Sequence, residues 1–383
     1  MSASPHLVHG MGTEPAQPDW PPLTLPELDA LLAAYPDAGG AREVRWRSPR
    51  PLSAAALVTT VHGGDVFVKR HHVSVRTRES LSEEHGFLGH LAAGDAPVVQ
   101  VLVDVSGESV GVSEDGAWTY EVHSVGEGDD VYRDAISWSP FLKPEHARSA
   151  GRTLATLHES ARGYDAPNRS VAPLTGGFTI FGDQTDPLAA VEKFVAARPA
   201  LTVYLEREPQ WLHSLERVHM PFYERLQPQL SELEPLWTHN DLHASNLLWR
   251  GDDAATVIDF NLADRACAVH DLALAIERNA IEWVELAEKG EQAVHLDDAL
   301  SLIVGYEEAR PLTDAERVAL PALLPLCHAD FALSELDYFA GVTKNEANAD
   351  LAYRYLIDHT SWFAAGIGAA FLQSLRDALT PGA

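Results

Sequence analysis

Close to Gly126 the apolar residues stop recurring at every second position and start recurring at every third or fourth, and this change divides the chain. Ahead of it, AREVRWRSPRPLSAAALVTTVHGGDVFVKRHH (residues 41–72) reads as strands joined by turns, with Gly63-Gly64 marking a hairpin. LTLPELDALLAAY predicts a short helix before those strands, and SVRTRESLSEEHGFLGHLAAG predicts a helix after them that stops at Gly94. APVVQVLVDV and AWTYEVHSV are again β-like. Beyond Gly126 helical spacing dominates, from PEHARSAGRTLATLHESA to LAYRYLIDHTSWFAAGIGAAFLQSLRDAL. Strands gathered at the front and helices at the back imply an α+β chain of two segregated lobes, not alternating βαβ units. The expected division is a mobile tail at 1–22, a strand-rich lobe at 23–122 and a helical lobe at 123–383, with Tyr120–Gly128 as connector. A cleft between lobes is a usual place for a small molecule.

Charge narrows the partners. The net charge of −28 argues against a nucleic-acid backbone, which needs an excess of Lys and Arg. It suits solubility first and the steering of a cationic ligand second. Two cysteines, Cys267 and Cys327, imply no disulfide framework, and with no signal peptide visible the expected compartment is the cytoplasm. No apolar run approaches the roughly 20 residues of a membrane span.

The chemistry concentrates in LWTHNDLHASNLLWRGDDAATVIDFN, residues 236–261. NLLW and ATVIDF are apolar runs separated by Arg-Gly-Asp-Asp, which supplies hairpin turn chemistry at 251–253. Folded there, Leu248 faces Val257, Leu247 faces Ile258, and Asn246 lies opposite Asp259 at the open end. Facing pairs in such a ribbon sit roughly 5 Å apart. An amide oxygen and a carboxylate at that spacing suit a hard cation such as Mg²⁺. The preceding HNDLHAS follows no periodicity and is expected to be a loop presenting Asp241 near the same end. An Asp that accepts a hydroxyl proton, with an Asn and a second Asp holding metal on nucleotide phosphates, is the apparatus of phosphoryl transfer.

HNDLHASN and VIDFN resemble the catalytic loop and metal-binding motif of the aminoglycoside phosphotransferase and choline kinase-like superfamily. RTLATLH, ending at His158, is similar to the helix preceding that loop, and HDLALAI, with Asp271, to the helix start following the metal motif. The resemblance runs from about Leu25 to Leu336. It implies a two-lobed protein-kinase-like fold, with an antiparallel sheet in the N-terminal lobe. It also implies phosphorylation of a small-molecule hydroxyl with ATP or GTP and Mg²⁺. Under it Asp241 is the base, Asn246 and Asp259 hold metal, and His239, His243 and Asp271 support the loop. Ala244-Ser245 stands where the family usually has Pro-Gly or Pro-Ser. RPLSAAALV replaces the usual phosphate loop, leaving Ser53 and neighbouring N–H groups for that work.

Such a site needs a strand lysine paired with a helix glutamate. VFVKRHH offers Lys69, with Arg70 on the opposite strand face. Glu84 shares the apolar face of its helix with Leu81, Leu88 and Leu91, and Glu83 does not. Residues Glu121 to His123 are expected to offer main-chain groups to the base. For the acceptor, Asp330 and Asp337 lie seven apart on one helix face, with Asp264 and Glu335 as weaker candidates; an acidic lining would suit a cationic antibiotic.

His239 and His243 are four apart, but Asn240 stands where a zinc protease needs Glu. Ser245 beside His243 lacks the G-x-S-x-G elbow of a nucleophile. Only twelve positions separate Asp259 from Asp271 and no A-P-E follows, so a small acceptor is favoured over a protein. A nucleotide-binding scaffold or sensor without turnover is the remaining alternative, and it has no use for Asp241 as a base.

Overall fold

The structure is a computed structural model that describes residues 6–12, 14–169, 174–183 and 185–380. The described residues form two compact units. One runs through Glu127 and includes Arg169 and Thr256–Ile258; the other comprises Gly128–Asn168 and the remaining residues to 380.

The first unit begins with β1 (Val8–His9) and β2 (Pro15–Ala16), which pair antiparallel. Val8 is buried, His9 N donates to Pro49 O at 2.7 Å, and the Trp20 ring stacks on His72 at 5.0 Å. The mobile tail expected over 1–22 is therefore corrected for these residues: an apolar contact and a strand ribbon hold them. Helix α1 (Leu25–Leu32) starts at a capping box in which Thr24 and Glu27 satisfy each other's main-chain N–H. The sheet follows: β3 (Ala41–Arg47), β4 (Ala54–Thr60), β5 (Asp65–His72), β6 (Gly111–Val112) and β7 (Trp118–Ser124). Its order is β3-β4-β5-β7-β6, antiparallel throughout. The β4–β5 hairpin turns at Gly63 with φ +96°, as its Gly-Gly predicts.

Alternation decides which face each β5 side chain takes. Val66 and Val68 join Leu28, Leu32, Val58 and Val122 in one apolar core. Arg70 lies on that side, bonded to Glu27 at 2.6 Å and 4.2 Å from the Trp118 ring. Lys69 and His71 point to the other face, where helix α2 (Arg78–Ala93) packs its buried Leu81, Glu84, His85, Leu88 and Leu91. A second capping box, Thr77 with Ser80, starts α2, and Gly94 ends it as expected.

The second unit is mostly helical. Its helices are α3 (Pro144–Ala161), α4 (Pro187–Ala196), α5 (Pro199–Leu205), α6 (Trp211–Leu226), α7 (Ala268–Ala280), α8 (Leu286–Lys289), α9 (Leu296–Ala309), α10 (Asp314–Leu323), α11 (Ala329–Asp337), α12 (Glu346–Phe363) and α13 (Gly366–Leu379). Helices α3 and α9 cross with backbones in near contact. A Cβ added to Gly151 would collide with Leu302 O, and one added to Gly305 with Arg148 O. Among the described residues no helix is long and apolar enough to cross a membrane.

Two short ribbons lie between α6 and α7 along the chain. β8 (Pro235–Thr238) pairs antiparallel with β11 (Asp264–Cys267), Thr238 opposite Asp264. Between them lies the hairpin of β9 (Leu247–Arg250) and β10 (Asp253–Val257), which turns at Gly251 with φ +63°. Helix α7 follows β11 directly, and all thirteen of its residues are buried, His270, Asp271, Glu277, Arg278 and Asn279 included. Polar groups so placed need partners. His270, Asp271, Arg278 and Asn279 find them in the loop between β8 and β9, and Glu277 finds Tyr355 and His359 of α12.

Candidate active site

That loop, residues 239–246, hangs from α7. Asp271 Oδ2 accepts the N–H of His239 and Oδ1 that of Asn240, each at 2.9 Å. His158 of α3 lies 3.1 Å from Oδ2, and Tyr306 bonds the far side of that imidazole at 2.7 Å. Burial alone would raise the Asp271 carboxyl, but these donors and neighbouring charges hold it below its ordinary value, so it stays an anion. It braces the loop, as the resemblance implies. It lies inside α7, whose N-cap is Cys267, one turn earlier.

Asn279 of α7 works likewise, accepting from Ala244 N at 2.9 Å and donating to Leu242 O at 3.1 Å. His239 Nδ1 accepts the N–H of Asp241 at 3.1 Å, and its ring meets Phe260 edge-on at 4.6 Å. Asn240 is left-handed at φ +60° and donates to Leu262 O and Asp264 O, tying the loop to the β8–β11 ribbon.

These restraints hold Asp241 beside Asn246. Asn246 Nδ2 donates to Asp241 O at 2.9 Å and to its Oδ2 at 3.3 Å, leaving the amide oxygen for other use. Asp259 lies close enough for its charge to act on Asp241. The Asp241 carboxyl is raised, chiefly by burial and also by Asp259, against the opposing pull of Arg278. Asp259 itself is held at φ +64°, a conformation costly to a residue with a Cβ and frequent at functional sites. His243 Nε2 stands 3.8 Å from Asp241 Oδ2.

Arg278 is the residue that reading the sequence missed. Its Nη1 donates to Asn240 O at 2.6 Å and to Asp241 Oδ1. The guanidinium is fully buried, 5.1 Å from the Trp138 ring and 5.4 Å from Phe331, while Nε and Nη2 have no hydrogen-bond partner. A signal existed, since Arg278 follows Asp271 by seven residues and so shares its helix face.

The four candidate acceptor residues separate. Asp330 accepts from Thr179 N at 2.7 Å, Thr179 Oγ1 at 2.6 Å and Ile180 N at 3.3 Å, so it staples the 175–183 segment. Asp337 accepts from Leu201 N at 3.0 Å at the start of α5. Asp264 is buried in β11, accepting from Arg265 N at 2.7 Å. These three carboxylates accept main-chain N–H groups, which gives each a structural task. Glu335 differs. It is 5% exposed, its Oε2 has no hydrogen-bond partner, and burial pushes its carboxyl up to about 8, with Asp241 adding to the rise and Arg278 opposing it.

In the first unit Lys69 is buried, its Nζ 3.9 Å from Glu121 Oε1. Glu84 is buried too, and Arg169 Nη2 lies 3.3 Å from its Oε2. Ser53 is half-buried in the turn between β3 and β4. The expectation that Glu121 and His123 offer main-chain groups is corrected. Their strand runs between β5 on one side and residues 100–102 on the other, with Leu102 N donating to Val122 O and Ser124 N to Gln100 O. Their side chains are buried in a cluster with His71 and His85.

Comparison with known proteins agrees with this architecture. The model of the phosphotransferase enzyme family matches residues 52–312. A homoserine kinase of Rhodospirillum rubrum is 27% identical over 259 residues, covering 66% of this chain and 67% of that one. Homoserine kinases of other bacteria are matched over about half their length, as with 49% for Rhizobium rhizogenes. Among solved structures, spectinomycin phosphotransferase in complex with ADP and spectinomycin superposes with a TM-score of 0.55 at 11% identity, covering 94% of this chain and all of that one. A microcompartment-associated aminopropanol kinase gives 0.54 at 17% identity, covering 92% and 98%. These likenesses establish the fold: an antiparallel-sheet unit followed by a helical one, as in protein-kinase-like phosphotransferases.

Proposed function

The chain belongs to the phosphotransferase enzyme family, and from that premise we propose that it transfers the γ-phosphoryl group of ATP or GTP to a hydroxyl of a small molecule carrying an ammonium group. The observation that carries the reading is the Asp241 carboxylate, held on a braced loop with Asn246 donating to it and Asp259 raising its proton affinity.

Asp241 accepts the acceptor's hydroxyl proton as the oxygen attacks phosphorus. A carboxylate raised by burial is a better base than one in water, and the rigid loop supplies orientation. Asn246 and Asp259 suit a divalent cation, which we assign as Mg²⁺. The amide nitrogen of Asn246 is committed to Asp241, so its oxygen is the atom offered, and two neighbouring carboxylates gain from a positive charge. Such a metal neutralises charge on the phosphates when bound. Lys69 serves the phosphates, and the base is met by main chain beyond Ser124, where the sheet no longer occupies it. Glu335 receives the acceptor's ammonium, and the unpartnered edge of Arg278 suits a carboxylate on the same molecule. The homoserine and aminopropanol kinases named above carry amino alcohols in their names, which supports this acceptor class.

The test is phosphate transfer from labelled ATP and GTP to a panel of amino alcohols, hydroxy amino acids and aminoglycosides, with product mass measured. Transfer to an amine-bearing alcohol, abolished in Asp241→Asn with Mg-nucleotide binding retained, is expected. Transfer to neutral sugars alone would overturn the acceptor class, and turnover surviving in Asp241→Asn would overturn the base.

A further inference from the structure

The first unit buries a second cluster of ionisable side chains that phosphoryl transfer does not use. Glu121 is fully buried in β7, and three imidazoles converge on it from three elements. His71 Nε2 of β5 lies 3.0 Å from Oε1; His85 Nε2 of α2 and His123 Nε2 of β7 lie 3.0 and 2.9 Å from Oε2. All three histidines are under 9% exposed. Hydrophobic side chains are the ordinary occupants of such a position, and ionisable ones there are costly unless fully paired.

A hydrogen-bonded network accounts for part of this. One carboxylate needs only two or three donors, and Lys69 already approaches Oε1 at 3.9 Å. His123 Nδ1, buried without a hydrogen-bond partner, is left as it is by either arrangement. A metal accounts for the two imidazoles that share one carboxylate oxygen. His85 Nε2, Glu121 Oε2 and His123 Nε2 lie within 4.8 Å of one another. Tetrahedral zinc with bonds of about 2.0–2.1 Å sets its ligands roughly 3.3 Å apart. Both glutamate–histidine separations are already near that value, so only the two imidazoles must close on each other. Their rings meet edge to face, centroids 6.1 Å apart. His85 Nδ1 lies 2.9 Å from Ser109 Oγ, the outward hydrogen bond that fixes the orientation of a metal-bound imidazole.

We propose that His85, Glu121 and His123 bind a zinc-class divalent cation, at a site separate from the nucleotide's metal. Imidazole and carboxylate together select a borderline cation over Mg²⁺. Oε2 of Glu121 takes the metal, leaving Oε1 to His71 and Lys69, and one tetrahedral position is left for water. The cation thus fixes the carboxylate that faces Lys69, in the absence of any nucleotide.

The experiment uses the full chain without a histidine tag, stripped with chelator, reloaded with Zn²⁺ in nucleotide-free buffer, desalted and assayed for metal. About one zinc per chain is expected in the wild type and in the exposed control His213→Gln, with loss in His85→Gln/His123→Gln. No retained zinc in the wild type, or equal zinc in the double variant, would overturn the proposal. If circular dichroism shows the double variant unfolded, the Co²⁺-loaded wild type decides. An intense visible absorption of tetrahedral cobalt upholds the site, and the weak spectrum of octahedral cobalt refutes it.

Discussion

Replacing Glu335 by Gln separates what this carboxylate costs the fold from what it does for the ligand. Its proton affinity is raised from 4.5 to about 8, with burial the main cause. The sign follows from proton counting. Between those two values the folded chain holds a proton that the unfolded chain has released, so stability falls as pH rises through the window. At pH 7 the 2.5 units above the ordinary value correspond to about 3 kcal/mol lost, and above pH 8 the full shift corresponds to about 5 kcal/mol. Gln keeps the shape and cannot ionise. Urea melts at pH 5, 6, 7 and 8 are expected to show wild-type stability falling relative to Glu335→Gln by about 3 kcal/mol between pH 5 and 7. An amine-bearing acceptor should recover part of that loss in the wild type and none in the variant. Parallel stability–pH curves for the two proteins would refute the assignment of Glu335 as a carboxyl whose proton affinity is raised by burial.

Three further outcomes follow from the same geometry. Asp271→Asn turns an acceptor of two loop N–H groups and a histidine into a poorer one. It should cost about 3 kcal/mol by denaturant melt and lower kcat more than it changes nucleotide affinity. Arg278→Gln removes the cation that holds Asp241 down, so the acidic limb of the kcat–pH profile should move up by about 1–3 units, whereas an unmoved limb would mean that another group is the base. Gly151→Ala places a methyl against Leu302 O where α3 and α9 cross, and a loss of roughly 1–3 kcal/mol in urea melts is expected, with kcat/KM unchanged in the fraction that folds.

What local chemistry determines was legible along the chain. Capping at Thr24 and Thr77, the stop at Gly94, the Gly63 and Gly251 turns and the change of periodicity near Gly126 depend on neighbours within a few residues, and the elements form where those signals stand. The inward placement of Glu84 and the opposed faces of Lys69 and Arg70 follow from helical and strand periods alone. The grouping of Asp241 with Asn246 was legible for the same reason, because five residues of loop connect them.

Tertiary packing decided the rest. Whether a carboxylate binds a ligand or staples a backbone depends on which donors the fold brings to it. Asp330 and Glu335 sit on one helix, yet Asp330 meets Thr179 and Ile180 from 150 positions away while one oxygen of Glu335 meets no donor. Arg278 reaches Asp241 across thirty-seven positions, and three histidines from three elements find Glu121. Periodicity assigns a side chain to a face. What stands opposite that face is set by the long-range assembly of the core, whose free energy is a sum over contacts that no single segment contains.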